Sequence, residues 1–163
     1  MVKYKTLLTL VLTPLAATAA YSAPPQTFLR QAGLSDNSEI QVGELAQARG
    51  GSPAAREAGR MLAADHRASQ RAAAPLMARY RVRPPVGVLP EARVELRRLQ
   101  TLRGRAFDRE VATFNVAAHQ RAIALFQAQA RSGDRDTAAF ARAQLPVLRH
   151  HLQMARDLQR ASR

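Results

Sequence analysis

Residues 52–81 read SPAAREAGRMLAADHRASQRAAAPLMARYR, and this stretch decides the fold class. It begins with Ser52 followed by Pro53, residue types that favour the capping position and the first turn of an α-helix. Apolar residues then recur every three or four positions, which is the period of a helix with one buried face. We predict a helix from Pro53 to about Val82, bent at Pro75, because proline cannot donate to the preceding turn.

The rest of the chain repeats this pattern and divides at glycine and proline. We predict a helical segment over 27–49, broken near 33–37, with Ser35 or Asp36 capping its second half. Four or five amphipathic helices joined by short turns indicate an all-α, up-and-down four-helix bundle, with one short extra helix in the long connection. The remaining helices are predicted over 90–102, 105–131 and 134–160, with Asp134 capping the last of them.

Composition excludes several classes of protein. The 163 residues are 47% hydrophobic and contain no cysteine, which excludes disulfide scaffolds, thiolate zinc sites and cysteine nucleophiles. Alanine and arginine dominate while β-branched and aromatic residues are few, which favours helices over strands. The sequence has neither a Gly-x-Ser-x-Gly turn nor a phosphate-binding glycine loop. We therefore expect a binding or structural protein rather than an enzyme.

Residues 1–23 have the pattern of a secretory signal peptide. Lys3 and Lys5 precede an uncharged, mostly apolar stretch over 6–17, and small residues follow where cleavage is expected. The apolar stretch is too short for a comfortable membrane span of about 20 residues. We expect residues 24–163 to form a single exported domain without a transmembrane span, located in the periplasm or associated with the outer membrane.

Three of the four histidines fall on predicted inward-facing stripes, one on each long helix: His66, His119 and His151. Asp108 precedes His119 by eleven residues, which returns to nearly the same helical angle, and Glu39 on the first helix adds another acid. Histidines on facing helices commonly form metal sites in bundles. These five residues predict a site for one transition-metal ion (zinc, copper, iron or manganese), with Asp108 as a ligand or as an orienting partner.

The same histidines are also compatible with a protein that binds no metal. A buried hydrogen-bond network that fixes the helix register would place them inward as well. A di-iron site is disfavoured because it uses Glu-x-x-His pairs on two helices, and the sequence has none. The formal charge of +13 comes from arginines on every predicted helix, without a nucleic-acid-binding motif, so we expect no nucleic-acid partner. The alternative function is a structural or interaction protein whose arginine-rich surface contacts anionic envelope components, in an oligomeric state that the sequence leaves open.

Several short motifs occur in an order that resembles one known family. They are FLRQA (28–32), EIQVGELA (39–46), MLAADH (61–66), Phe107-Asp108, His119 and LPVLRHHLQMA (145–155). The resemblance is to secreted bacterial proteins, described as outer membrane proteins, that carry the domain of unknown function 4142. It covers about Thr27 to Leu158 and implies a ferritin-like four-helix bundle and export. It implies no particular activity, because a fold does not by itself determine a function.

Overall fold

The computed structural model describes residues 22–163, and helices make up most of this range. No strand occurs within these residues, and none of their helices combines the length and apolar character needed to cross a membrane. The prediction of an all-α fold is confirmed. The predicted signal peptide lies outside the described residues, apart from its last two positions. The helices are α1 (Pro25–Arg49), α2 (Pro53–Arg79), α3 (Pro90–Thr101), α4 (Gly104–Ala130) and α5 (Arg135–Ala161).

Side chains cap the start of two long helices, as their sequences predict. The Ser52 hydroxyl accepts a hydrogen bond from the backbone N–H of Ala55 at 3.1 Å. The Asp134 carboxylate accepts one from the backbone N–H of Thr137 at 2.9 Å. Each cap satisfies a backbone donor that the first turn of a helix leaves without a partner, and such a bond stabilises a helix by about 1 kcal/mol.

The predicted break in the first helix is wrong, because α1 runs without interruption from Pro25 to Arg49. Gly33 makes room for a neighbouring segment instead of ending the helix: an added Cβ would lie 2.7 Å from the Pro85 side chain. Asp36 caps no helix. It is buried within α1, where its carboxylate faces His66 on α2.

The bundle consists of two helical hairpins. Helix α1 packs mainly against α2, and α4 packs mainly against α5; the hairpins meet where α2 faces α5 and α1 faces α4. The long connection between them crosses the bundle and contains α3. Asn37 of α1 holds this connection, because its Nδ2 donates to the backbone oxygens of Pro85 at 2.9 Å and Gly87 at 2.8 Å. The predicted architecture, a bundle of four long helices with one short helix in the long connection, is therefore confirmed.

Two apolar clusters lie on either side of a polar layer in the core. Three phenylalanines interlock in one cluster, with ring centroids 5.0 to 6.2 Å apart: Phe28, Phe126 and Phe140. The other cluster contains Val42, Leu99, Phe107 and Val111. On α1, Asp36, Ser38 and Glu39 lie between the positions that supply these clusters, and on α4 Asn115 and His119 do. On these two helices the polar layer therefore lies between two apolar clusters.

Two glycines allow the backbones of α1 and α2 to approach closely. A Cβ added at Gly59 would lie 2.5 Å from the backbone oxygen of Gly43, and one added at Gly43 would lie 2.8 Å from the oxygen of Gly59. Because the obstructing atoms belong to the backbone, neither helix can yield without moving away from the other.

We predict that Gly59→Ala lowers the free energy of unfolding by about 1–3 kcal/mol, since overpacking outweighs the gain in helix propensity. Urea denaturation followed by circular dichroism measures the change. Gly133→Ala is the matched control, because a Cβ at that position meets no atom within 4 Å. Equal stability of the wild type and Gly59→Ala would contradict the close approach of α1 and α2.

Candidate metal centre

The three histidines that the sequence places on inward faces meet in the polar layer. His66 comes from α2, His119 from α4 and His151 from α5, and their exposed fractions are 3%, 1% and 0%. Their ring centroids lie 5.2 to 5.7 Å apart. One nitrogen from each ring lies within 4.8 Å of the other two. The second hairpin supplies two of these rings and the first hairpin supplies one.

His66 is held by Asp36, which faces it from α1. Its Nδ1 donates to the Asp36 carboxylate at 2.8 Å, while its Nε2 is buried without a hydrogen-bond partner among the described residues. Burial opposes protonation of His66, but the hydrogen bond to Asp36 and the charge of Glu39 outweigh it and raise the pKa above its ordinary value. The Nε2 is therefore the nitrogen that His66 offers to a ligand.

Hydrogen bonds also assign the tautomers of the other two rings. His119 Nδ1 lies 2.9 Å from the backbone oxygen of Asn115, and a carbonyl oxygen can only accept. His151 Nε2 lies 2.9 Å from the Asp65 carboxylate, which likewise accepts when ionised. Each ring therefore donates from that nitrogen. Its second nitrogen, Nε2 of His119 and Nδ1 of His151, carries a lone pair.

These two lone-pair nitrogens face each other at a separation of 3.3 Å. A proton shared between them would join the rings, but both rings resist protonation. Burial lowers the pKa of His119 to about 3, with a further contribution from the charge of His66. Burial likewise lowers the pKa of His151 to about 4, against the opposing effect of Asp65. At neutral pH the arrangement is suited to a cation that accepts both lone pairs.

The donor set is compatible with a transition metal of intermediate softness. Imidazole nitrogen binds zinc, copper, iron and nickel well, whereas manganese favours oxygen ligands. Tetrahedral coordination with Zn–N bonds of about 2.1 Å places ligand nitrogens about 3.4 Å apart. The facing nitrogens of His119 and His151 already have this spacing. Coordination by all three rings would draw His66 inward.

The two acids predicted for the site lie apart from the group formed by the three histidines. Asp108 accepts a hydrogen bond from the backbone N–H of Gly51 at 2.7 Å, so it holds the turn between α1 and α2. Glu39 lies beside His66, but its carboxylate does not belong to the converging group. Burial raises the pKa of Glu39 from its ordinary value of 4.5 to about 7, against the opposing charge of His66. Asp108 therefore has a structural contact here, and Glu39 borders the site.

The structure adds two acids that sequence reasoning did not assign to the site. In the sequence, Asp36 has the pattern of a helix cap. In the structure α1 is uninterrupted, and Asp36 therefore lies within the helix and faces His66. Asp65 is adjacent to His66 and therefore points to another face of α2, but that face meets His151 on α5. In each case the sequence signal was an acidic residue within one helical turn of a residue predicted to face inward.

Comparison with known proteins identifies a family and a fold. The sequence profile of a family described as "Domain of unknown function (DUF4142)" matches residues 11–158. The structure is similar to "Crystal structure of DUF305 fragment from Deinococcus radiodurans", with a TM-score of 0.73 and 18% sequence identity. That match covers 86% of this chain and 99% of the other, and at this identity it shows the fold alone. A comparison with curated proteins gives no match.

We predict that Glu39→Gln stabilises the metal-free protein at pH 8 and has little effect at pH 4. Because the folded state raises the pKa of Glu39, ionising this carboxyl costs stability as the pH rises above 4.5, and the cost is complete above about pH 7. The glutamine variant avoids this cost, and we expect a gain of about 1–3 kcal/mol at pH 8. Urea denaturation at both pH values measures it.

Glu44→Gln is the control, since Glu44 lies on the same helix with half of its side chain exposed. We expect this exposed change to alter stability by less than about 0.5 kcal/mol at either pH. A Glu39→Gln variant that is less stable than the wild type at pH 8 would mean that the Glu39 carboxylate is compensated in the folded protein.

Proposed function

The chain belongs to the DUF4142 family, and we propose that this member is an exported protein that binds one transition-metal ion through His66, His119 and His151. The observation that carries the proposal is the direction of the three rings. Each ring has one nitrogen engaged by a fixed acceptor, the second nitrogens of His119 and His151 face each other at 3.3 Å, and the three rings offer ligand nitrogens within 4.8 Å of one another. Metal-binding histidines usually donate their second nitrogen to a carboxylate or a carbonyl in this way, because that bond fixes the tautomer and the ring orientation.

The charges around the rings also favour a cation. Asp36 and Asp65 each hold one ring, and Glu39 lies beside His66. The second oxygen of Asp36 and one oxygen of Glu39 are buried without hydrogen-bond partners among the described residues. Uncompensated carboxylates are expensive to bury. A divalent ion at the three nitrogens would offset their charge.

Binding is a better account of this site than catalysis. The cavity that adjoins His66 and His151 has a volume of about 10 Å³, which is room for about one water molecule. A water molecule fits there, but an organic substrate does not. We therefore propose zinc or copper held for structure, storage or transfer.

Export is the second part of the proposal, and residues 1–23 support it. Their positive start, short apolar stretch and small residues are typical of a secretory signal peptide. We propose that the mature chain begins near residue 24 and acts in the periplasm or at the outer membrane. Removal of residues 1–23 would take away two lysines and no acid, so the mature protein would still be strongly basic.

We predict that protein isolated from the periplasm, without a metal-affinity tag, contains about one equivalent of a single transition metal. Elemental analysis measures the metal, and mass spectrometry of the same sample measures the start of the chain. His119→Ala should lose the metal, because two nitrogens hold it far more weakly than three. His150→Ala is the matched control, since His150 is the exposed neighbour of His151 and lies outside the converging group.

Asp65→Asn provides a graded change in the same measurement. It should weaken metal affinity by about 10–100-fold, as the loss of such an orienting partner typically does. Wild-type protein that stays free of metal after incubation with zinc or copper would overturn the metal proposal. The histidines would then form a hydrogen-bond network that holds the two hairpins together.

A second candidate function is contact with anionic envelope components, and one surface feature favours it. The two large hydrophobic side chains that are mostly exposed within residues 22–163 are Val86 (97%) and Val94 (57%). Both lie in the connection that contains α3, which also carries exposed arginines. Exposed apolar side chains beside arginines are typical of surfaces that associate with anionic lipid. The exposed arginines of this connection include Arg81, Arg83, Arg93 and Arg97.

We predict that the metal-loaded protein binds phosphatidylglycerol vesicles, and that binding falls as ionic strength rises from about 0.1 M to about 1 M. Replacing Arg83 and Arg93 with glutamine should weaken vesicle sedimentation more than replacing Arg30 and Arg71, which are exposed on α1 and α2. Both double variants lose two positive charges. A difference between their vesicle binding therefore shows that the position of the arginines matters. Equal losses would mean that net charge alone drives the association.

A further inference from the structure

The three histidines are nearly inaccessible to solvent, so an ion needs a path through the bundle to reach them. On the side where α2 faces α5, Asp65 covers the site by its hydrogen bond to His151. The small cavity beside His66 and His151, which residues of all four long helices line, holds about one water molecule. A hydrated metal ion is larger than this space, so another route is required.

A larger cavity of about 350 Å³ lies on the opposite side of the bundle, where α1 faces α4. Its α1 wall consists of polar side chains at every fourth position, which lie in one row along the helix. The row leads from the start of α1 to a buried carboxyl group: Thr27, Gln31, Ser35 and Glu39. The α4 wall is formed by four apolar residues, Phe114, Ala118, Ala122 and Leu125, together with Arg121.

This larger cavity reaches the histidine site at Glu39. Ser35 and Ala122 line both the larger cavity and the small one beside the rings, so the two spaces lie next to each other. Glu39 is 97% buried, and its Oε2 has no hydrogen-bond partner among the described residues. Its carboxyl is close enough to His66 for each to affect the charge of the other. Arg121 lies 3.7 Å from Glu91, and its charge also acts on Glu39.

We propose that this cavity is the path by which a divalent cation reaches the three histidines, and that Glu39 binds the ion transiently on the way. The inference rests on the proposed function. Hydroxyl, amide and carboxylate oxygens along α1 replace part of the hydration shell of the ion, and the imidazoles then take it from Glu39. A carboxylate at the floor of the cavity also raises the local concentration of cations, which a strongly basic protein otherwise repels.

Rapid mixing of the metal-free protein with Co²⁺ tests the path, because nitrogen-bound Co²⁺ absorbs visible light. We expect Glu39→Gln to slow uptake about tenfold or more, in line with the effect of charged clefts on association rates. Release into excess chelator should slow in parallel, because the same path serves both directions. Ala118→Phe, which fills the cavity and keeps Glu39, should slow both rates as well. Glu44→Gln is the matched control on the exposed face of α1.

The possible outcomes distinguish failure of the proposed entry path from failure of the proposed metal site. Unchanged uptake by both Glu39→Gln and Ala118→Phe would overturn the path, while one equivalent of Co²⁺ in the wild type would still support the metal site. Slow uptake only in Gln144→Leu, which alters the small cavity at its α5 wall, would place the path on the α5 side of the site. Faster release from Glu39→Gln with unchanged uptake would make Glu39 a permanent ligand. Wild-type protein that takes up no metal would defeat the proposed function itself.

Discussion

Each of the three buried imidazoles donates one N–H to an acceptor outside the group, and this constraint leaves the lone-pair nitrogens of His119 and His151 facing each other beside His66. The acceptors are a carboxylate on α1, a carboxylate on α2 and a backbone carbonyl on α4. Polar groups buried without partners are costly, so the layer is more stable when its inward nitrogens also find a partner. The small cavity beside His66 and His151 has room for only about one water molecule to serve that purpose.

The same layer connects the two halves of the bundle. Each hairpin is tightly packed within itself, most closely at the Gly43–Gly59 contact between α1 and α2. Between the hairpins, His66 from the first meets His119 and His151 from the second. An ion bound to all three rings would therefore hold the hairpins together, because its ligands come from both. Binding to the folded state alone would stabilise the protein by mass action.

Much of the fold could be predicted from periodicity and caps, because these are local properties of the chain. Helices α2, α4 and α5, the Ser52 and Asp134 caps and the inward direction of the histidines follow from spacing, whereas the predicted break in α1 does not occur. The partners of the histidines depend on which helix face meets which neighbour, and helical angle alone does not determine this. Asp108 shares an angle with His119 but binds the Gly51 turn, whereas Asp65 points away from His66 and meets His151 on α5.

Anomalous diffraction from a crystal of the zinc-loaded protein tests the central claim most directly. The account predicts one strong peak in the core, about 2.1 Å from Nε2 of His66, Nε2 of His119 and Nδ1 of His151. Asp36 and Asp65 should keep their hydrogen bonds to the outer nitrogens of two of these rings. A core without a peak, with zinc only at surface residues such as His150, would contradict it and leave the three rings as a hydrogen-bond network.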